Sequence, residues 1–209
     1  MQYSTAISDG ILALACVASL LWLRPVFAGQ PVLRALLLGF GLTATAALCG
    51  AVRYGLDPSW IDRHRSFTQL SAVLGLPLLG LAALSLSRGL AWSRSIWTLC
   101  LVGLVGLFIG ARVLGVDPYY RLALSMVTLL LILYAGLSRW PQPRPGLLAL
   151  GVVGLFLVAG LAVGTEGFIG PLRRVDLFHA LLAPAYPLLA WLLLTLRMPA
   201  REEIPVKTL

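Results

Sequence analysis

The stretch GAVRYGLDPSW, residues 50–60, decides the fold by the way it ends what precedes it. Residues 35–52 carry no charge, and then Arg53, Asp57 and Pro58 arrive together. A near-copy, GARVLGVDPYY at residues 110–120, closes the uncharged run 95–111 with Arg112, Asp117 and Pro118. A helix needs roughly 20 apolar residues to cross the hydrocarbon core of a bilayer. Each run has that length, and each closing motif supplies a helix stop with charges for the membrane edge.

The rest of the chain reads the same way. Of its 209 residues, 59% are hydrophobic and 11% charged, where a soluble domain carries about 25% charged residues. Apolar runs give seven spans at about 7–24, 33–56, 66–87, 95–116, 120–138, 147–165 and 176–196. They are separated by Pro-, Gly- and Arg-bearing breaks such as RWPQPRPG. The expected fold is an all-α bundle of seven transmembrane helices over residues 1–198, with a polar tail at 199–209. The ends of helices 2, 4 and 6 are glycine-bearing and acid-tipped, which suggests repeated helical hairpins plus one further helix.

The net charge of +8 comes from isolated arginines rather than a basic run, so it marks topology and excludes a nucleic-acid partner. Cys16, Cys49 and Cys100 lie inside apolar runs without CxxC spacing and read as small buried side chains. The N-terminus, MQYSTAISDG, has no basic segment of the kind that starts a secretory signal.

Lys and Arg divide nine against seven between the two ends of the bundle. The nine-residue side is expected to be cytoplasmic, which puts the N-terminus outside and the C-terminus inside a bacterial inner membrane. The other side holds Asp9, Asp57, Asp62, Asp117, Glu166, Asp176 and both histidines. A functional site is expected there.

Arg53 and Asp57 are four apart, so on one helix they would pair; Arg112 and Asp117 are five apart, a looser fit. Both arginines are expected to point into the bundle and hold an anion. Asp176 and His179, three apart at the start of helix 7, would give an imidazole oriented by a carboxylate. Asp9 is expected to face the same pocket. His64, in DRHRS, reads as a loop residue. Pro184 and Pro187 should kink helix 7 and open space above them. Stretches such as GFGLTATAALCGA and GLVGLFIGA should let helices pack closely.

Seven helices, an outer N-terminus and polar groups at one end of helices 2, 3 and 7 resemble the CREST superfamily of alkaline ceramidases and adiponectin receptors. That resemblance implies a zinc hydrolase built from a serine, a histidine four residues on, an aspartate, and HxxxH on helix 7. Here Cys49 and Arg53 stand at the serine–histidine spacing, His64 stands where the aspartate is expected, and His179 is followed four later by Ala183.

The leading expectation is a pocket for an anionic lipid head group or small anionic ligand. Arg53, Arg112, Asp9, Asp57, Asp117, Glu166, Asp176 and His179 would line it, without a cofactor and with membrane lipids as partners. One alternative is a CREST-like hydrolase of a lipid amide or ester, with His179, Asp176 and His64 as catalytic candidates. Its zinc would be drawn from His64, His179, Asp9 and Asp176. Another is an accessory or structural subunit docked to a membrane protein partner.

Overall fold

The computed structural model describes residues 1–197. Seven helical spans are long and apolar enough to cross a membrane. They are α1 (Tyr3–Val26), α2 (Leu33–Gly55), a third span from Pro58 to Ser87, α5 (Arg94–Val113), α6 (Asp117–Leu137), a sixth span from Pro143 to Val163, and α8 (Arg174–Arg197). The third span combines a 3-10 turn (Pro58–Trp60), α3 (Ile61–Leu70), a π-helical turn (Ser71–Gly75) and α4 (Leu76–Ser87). The sixth is α7 (Pro143–Leu157) running into a second π-helical turn (Val158–Val163). The fold is an all-α seven-helix bundle. The expected tail, with Arg201, Glu202, Glu203 and Lys207, lies outside the described residues.

Two local readings are corrected. The third span starts at Pro58, not near residue 66, so His64 sits on helix α3 rather than in a loop. The cause is a strong start: Asp57 accepts hydrogen bonds from the Ser59 backbone N–H (2.9 Å) and hydroxyl (2.7 Å). Pro58 occupies the first position and Asp62 the first turn. The break before α8 also holds a short antiparallel hairpin, β1 (Phe168–Ile169) with β2 (Leu172–Arg173), in register Phe168↔Arg173. Gly170, at φ +57°, makes its turn.

The centre of the bundle is α2, the third span and α8. α1 packs on α2 and α8, α4 on α6, and α7 on α6 and α8. Glycines set the closest approaches. A methyl at Gly39 of α2 would overlap Leu79 of α4, and one at Gly136 of α6 would overlap Ala149 of α7. In the other small-residue stretch, GLVGLFIGA, the glycines make no close approach: Gly103, Gly106 and Gly110 of α5 have open space around them, and the stretch packs through Leu104 and Ala111 instead. α5 is peripheral, with Trp97, Leu104 and Ala111 buried and Leu99, Leu107 and Val113 turned outward.

The bundle's two ends differ. Away from the N-terminus, Arg139 follows α6 and donates from Nη2 to the Leu86 carbonyl at 3.1 Å and the Leu196 carbonyl at 2.6 Å. One guanidinium thus ties the C-terminal ends of α4 and α8, where helix dipoles favour a cation. Beneath that end lies a fully buried core of Phe27, Leu36, Phe40, Leu79, Leu189, Leu193 and Leu196. At the N-terminal end the helices diverge around a cavity.

Candidate functional site

The cavity holds about 980 Å³, at the upper end of the roughly 300–1,000 Å³ usual for ligand pockets. Arg53 of α2, His64 and Arg65 of α3, Arg121 of α6, and Glu166 and Arg173 around the β-hairpin line its mouth. Leu76, Leu122, Met126, Leu129, Phe156, Phe178 and Leu182 make apolar walls. Thr43, Ser71 and Tyr186 lie deepest in sequence terms. Thr43 is ten residues before Arg53 on α2, about 15 Å along the axis, half the roughly 30 Å hydrocarbon core.

That floor is a hydroxyl network. Thr43 Oγ1 donates to the Gly39 carbonyl at 3.2 Å and lies 2.7 Å from Ser71 Oγ and 3.0 Å from Tyr186 Oη. Each hydroxyl has one hydrogen and can accept others. The three hydroxyls and the Gly39 carbonyl thus share their hydrogens in one buried network. Both π-helical turns border the cavity, through Ser71 and Ala72 on one side and Gly160 and Leu161 on the other. A π turn widens the helix locally, and such turns gather at functional sites. Pro184 and Pro187 flank Tyr186 inside α8 and remove two helix donors at the same depth.

Higher up, Asp9 and His179 are buried at 1% and 8% exposure. Asp9 Oδ1 is 3.3 Å from His179 Nδ1. Ser8 Oγ lies 3.3 Å from the same nitrogen and gives its own hydrogen to the Thr5 carbonyl at 3.0 Å. Asp9 Oδ1 and Ser8 Oγ thus both stand within hydrogen-bond reach of Nδ1 and hold the ring from one side. Asp9 Oδ2 has no hydrogen-bond partner and packs against Gly50 of α2, where a methyl group would collide with the carboxylate.

His64 has the opposite arrangement. Arg53 Nη1 is 3.3 Å from His64 Nδ1, and a guanidinium is always a donor. Nδ1 must accept, so the neutral His64 ring carries its hydrogen on Nε2. Arg53 also covers the Tyr54 ring at 4.6 Å, and Tyr54 meets His64 edge to face.

The expected site residues divide into two groups. Asp9, Arg53, Glu166 and His179 line the cavity together, with His64 beside them. Asp176 stands behind the wall: it accepts from Thr5 Oγ1 at 2.6 Å and does not orient His179, which Asp9 does from another helix. The Arg53–Asp57 pair is not formed, because Asp57 is the cap of the third span. Asp117 pairs instead with Arg121, four residues on, at 3.3 Å. Arg112 is exposed, with its guanidinium 5.7 Å from the Phe108 ring. Arg112, Asp57 and Asp117 do not line the cavity.

Arg65, Arg121 and Arg173 carry no signal of a site in the sequence, because scattered arginines read as topology charges. The floor hydroxyls are single polar residues within apolar runs, and only their mid-span depth could have marked them.

The residues do not fit the zinc that the CREST resemblance implies. Among the described residues no group of three His, Cys, Asp or Glu side chains comes together. The Arg53 guanidinium also holds the Nδ1 of His64.

Fold and site together define a seven-helix membrane protein with a deep, positively rimmed cavity at one end. The chain belongs to the DUF6962 family, a family of unknown function, whose model matches residues 4–198. No curated protein and no solved structure matches it.

Proposed function

We propose that this protein binds an anionic lipid head group or a small anionic ligand in the cavity. In this reading it lies in a bacterial inner membrane with the mouth and the N-terminus outside. The observation that carries the proposal is the charge around one opening. Four arginines, Arg53, Arg65, Arg121 and Arg173, face the space with two carboxylates, Asp9 and Glu166, and of the four Arg121 also pairs with Asp117. Asp9 is already engaged by His179. Guanidinium groups hold phosphate and carboxylate through paired hydrogen bonds. The apolar walls suit a lipid chain below such a head group.

Binding of phosphatidylglycerol to the purified protein in nanodiscs tests this. A hydrogen bond to a charged group contributes about 1.5–3 kcal/mol, so Arg53→Gln should weaken binding by about tenfold or more. Arg112→Gln should change it less than about twofold, since Arg112 stands outside the cavity. Equal losses from both variants, or from neither, would overturn the reading.

One observation favours a second reading. Asp9 orients His179 as a general base would be oriented, which suits a hydrolase of a lipid amide or ester. Hydrolysis of such a lipid by the purified protein, lost in His179→Ala, would establish it.

A further inference from the structure

The side wall of the cavity is unevenly closed. α6 and the sixth span meet tightly at the far end, where a methyl on Gly136 would strike Ala149 and the Pro145 carbonyl. Toward the cavity they part: the π-helical turn Val158–Val163 packs on α7 and α8, while α6 packs on the third span. Leu122 of α6 and Leu161 of the turn both line the cavity. They are also 54% and 65% exposed, so they stand at its edge. Gly160, beside Leu161, lines the cavity too and has open space over its Cα. On the other flank of α6, α5 stands against α6 and the π-helical turn of the third span. The gap between α6 and the sixth span is therefore the open flank.

We propose that this gap is a side portal through which a phospholipid of the adjoining leaflet enters, with its phosphate on the rim arginines and one acyl chain in the cavity. This rests on the anion-binding reading above and names the ligand's source and route. The chemistry of the gap is that of hydrocarbon. Residues 122–138 and 145–165 carry no charge, and Leu122, Met126, Leu157 and Leu161 frame the opening. Arg121 and Glu166 stand just above it. The floor at Thr43 is about 15 Å below Arg53, the depth of one leaflet's share of a roughly 30 Å hydrocarbon core. Lipid tails and leucine-lined walls are equally apolar, so a chain that moves sideways stays in hydrocarbon throughout. A chain brought in through the aqueous mouth would expose each methylene to water. A small soluble anion needs no opening toward the bilayer.

The test uses the full chain in nanodiscs containing phosphatidylglycerol with a photoreactive diazirine in one acyl chain. After irradiation, site-resolved mass spectrometry should find the label inside the cavity, on Met126, Leu129 and Phe156. Leu99 and Leu107 of α5, which face outward, report ordinary contact with surrounding lipid. Arg53→Gln should lower the cavity label by about tenfold relative to the α5 label, as expected when the head group loses a charged hydrogen bond. Gly160→Trp and Leu161→Trp narrow the gap from two positions, and each should lower the cavity label at least fivefold. Gly154→Trp adds the same bulk at an open site on the same span outside the cavity, and should leave the label within twofold.

A cavity label unchanged in both Gly160→Trp and Leu161→Trp overturns the portal, as does equal loss in Gly154→Trp. Glycerophosphoglycerol, the same head group without chains, separates the two readings. Its Arg53-dependent binding, with no label in the cavity, would leave the anion site standing and remove only this inference. Neither label nor binding would remove both.

Discussion

Gly50 and Gly110 open the two copies of the doubled helix ending, and they show what identical letters conceal. Gly50 faces inward, where a methyl group would strike the Asp9 carboxylate, while Gly110 has open space around it. Gly50→Ala should therefore destabilise the protein by about 1–3 kcal/mol, the usual penalty for overpacking. Gly110→Ala should stabilise it by up to about 1 kcal/mol through the higher helix propensity of alanine. Thermal unfolding in detergent measures both, and similar shifts would mean that the two endings share a role. At this scale the sequence identified charge and spacing but not direction. The i,i+4 spacing of Arg53 and Asp57 is compatible with a pair, yet Asp57 has two donors on Ser59, nearer in sequence and geometry. Asp9 was expected to face the pocket. Its partnership with His179, 170 residues away, has no local signal.

At the scale of elements, the seven apolar runs were legible because membrane spans carry the strongest pattern a sequence offers. The start of the third span was not, since residues 61–66 read IDRHRS and polarity suggested a loop. The helix persists there because one wall faces a polar cavity instead of lipid. Its cap gives a pH prediction. The Ser59 hydrogen bonds hold the Asp57 carboxyl below the usual carboxylate range, about 3.9 when unperturbed. A depressed pKa means the contribution is present above the unfolded value and lost as pH falls through the folded one. The first turn of this span should keep slow amide exchange at neutral and mildly acidic pH and lose it only below the ordinary carboxylate range. Asp57→Ala should show fast exchange there at every pH. The π-helical turns were invisible in sequence for another reason: SAVLG and VAGLAV have nothing to set them apart from ordinary helix.

At the scale of the whole molecule, the surplus of basic residues on one side predicts an orientation for the chain, and this is open to a direct check. With Cys16, Cys49 and Cys100 replaced by alanine, single cysteines can be placed at the exposed positions Tyr119 and Trp140, at opposite ends of α6. An outer N-terminus predicts that Tyr119→Cys reacts with a membrane-impermeant maleimide on intact cells. Trp140→Cys should react only after the membrane is breached, and the reverse pattern would invert the topology. The Arg139 clasp at that far end bears on how the cavity is used. Below the hydroxyl floor lies close-packed hydrocarbon, and below that one guanidinium holds two helix ends together. Passage straight through would require prising apart the core and stripping Arg139 of both carbonyls. The cavity is closed at its floor: a ligand of the proposed kind would enter and leave on the same side of the hydroxyl network.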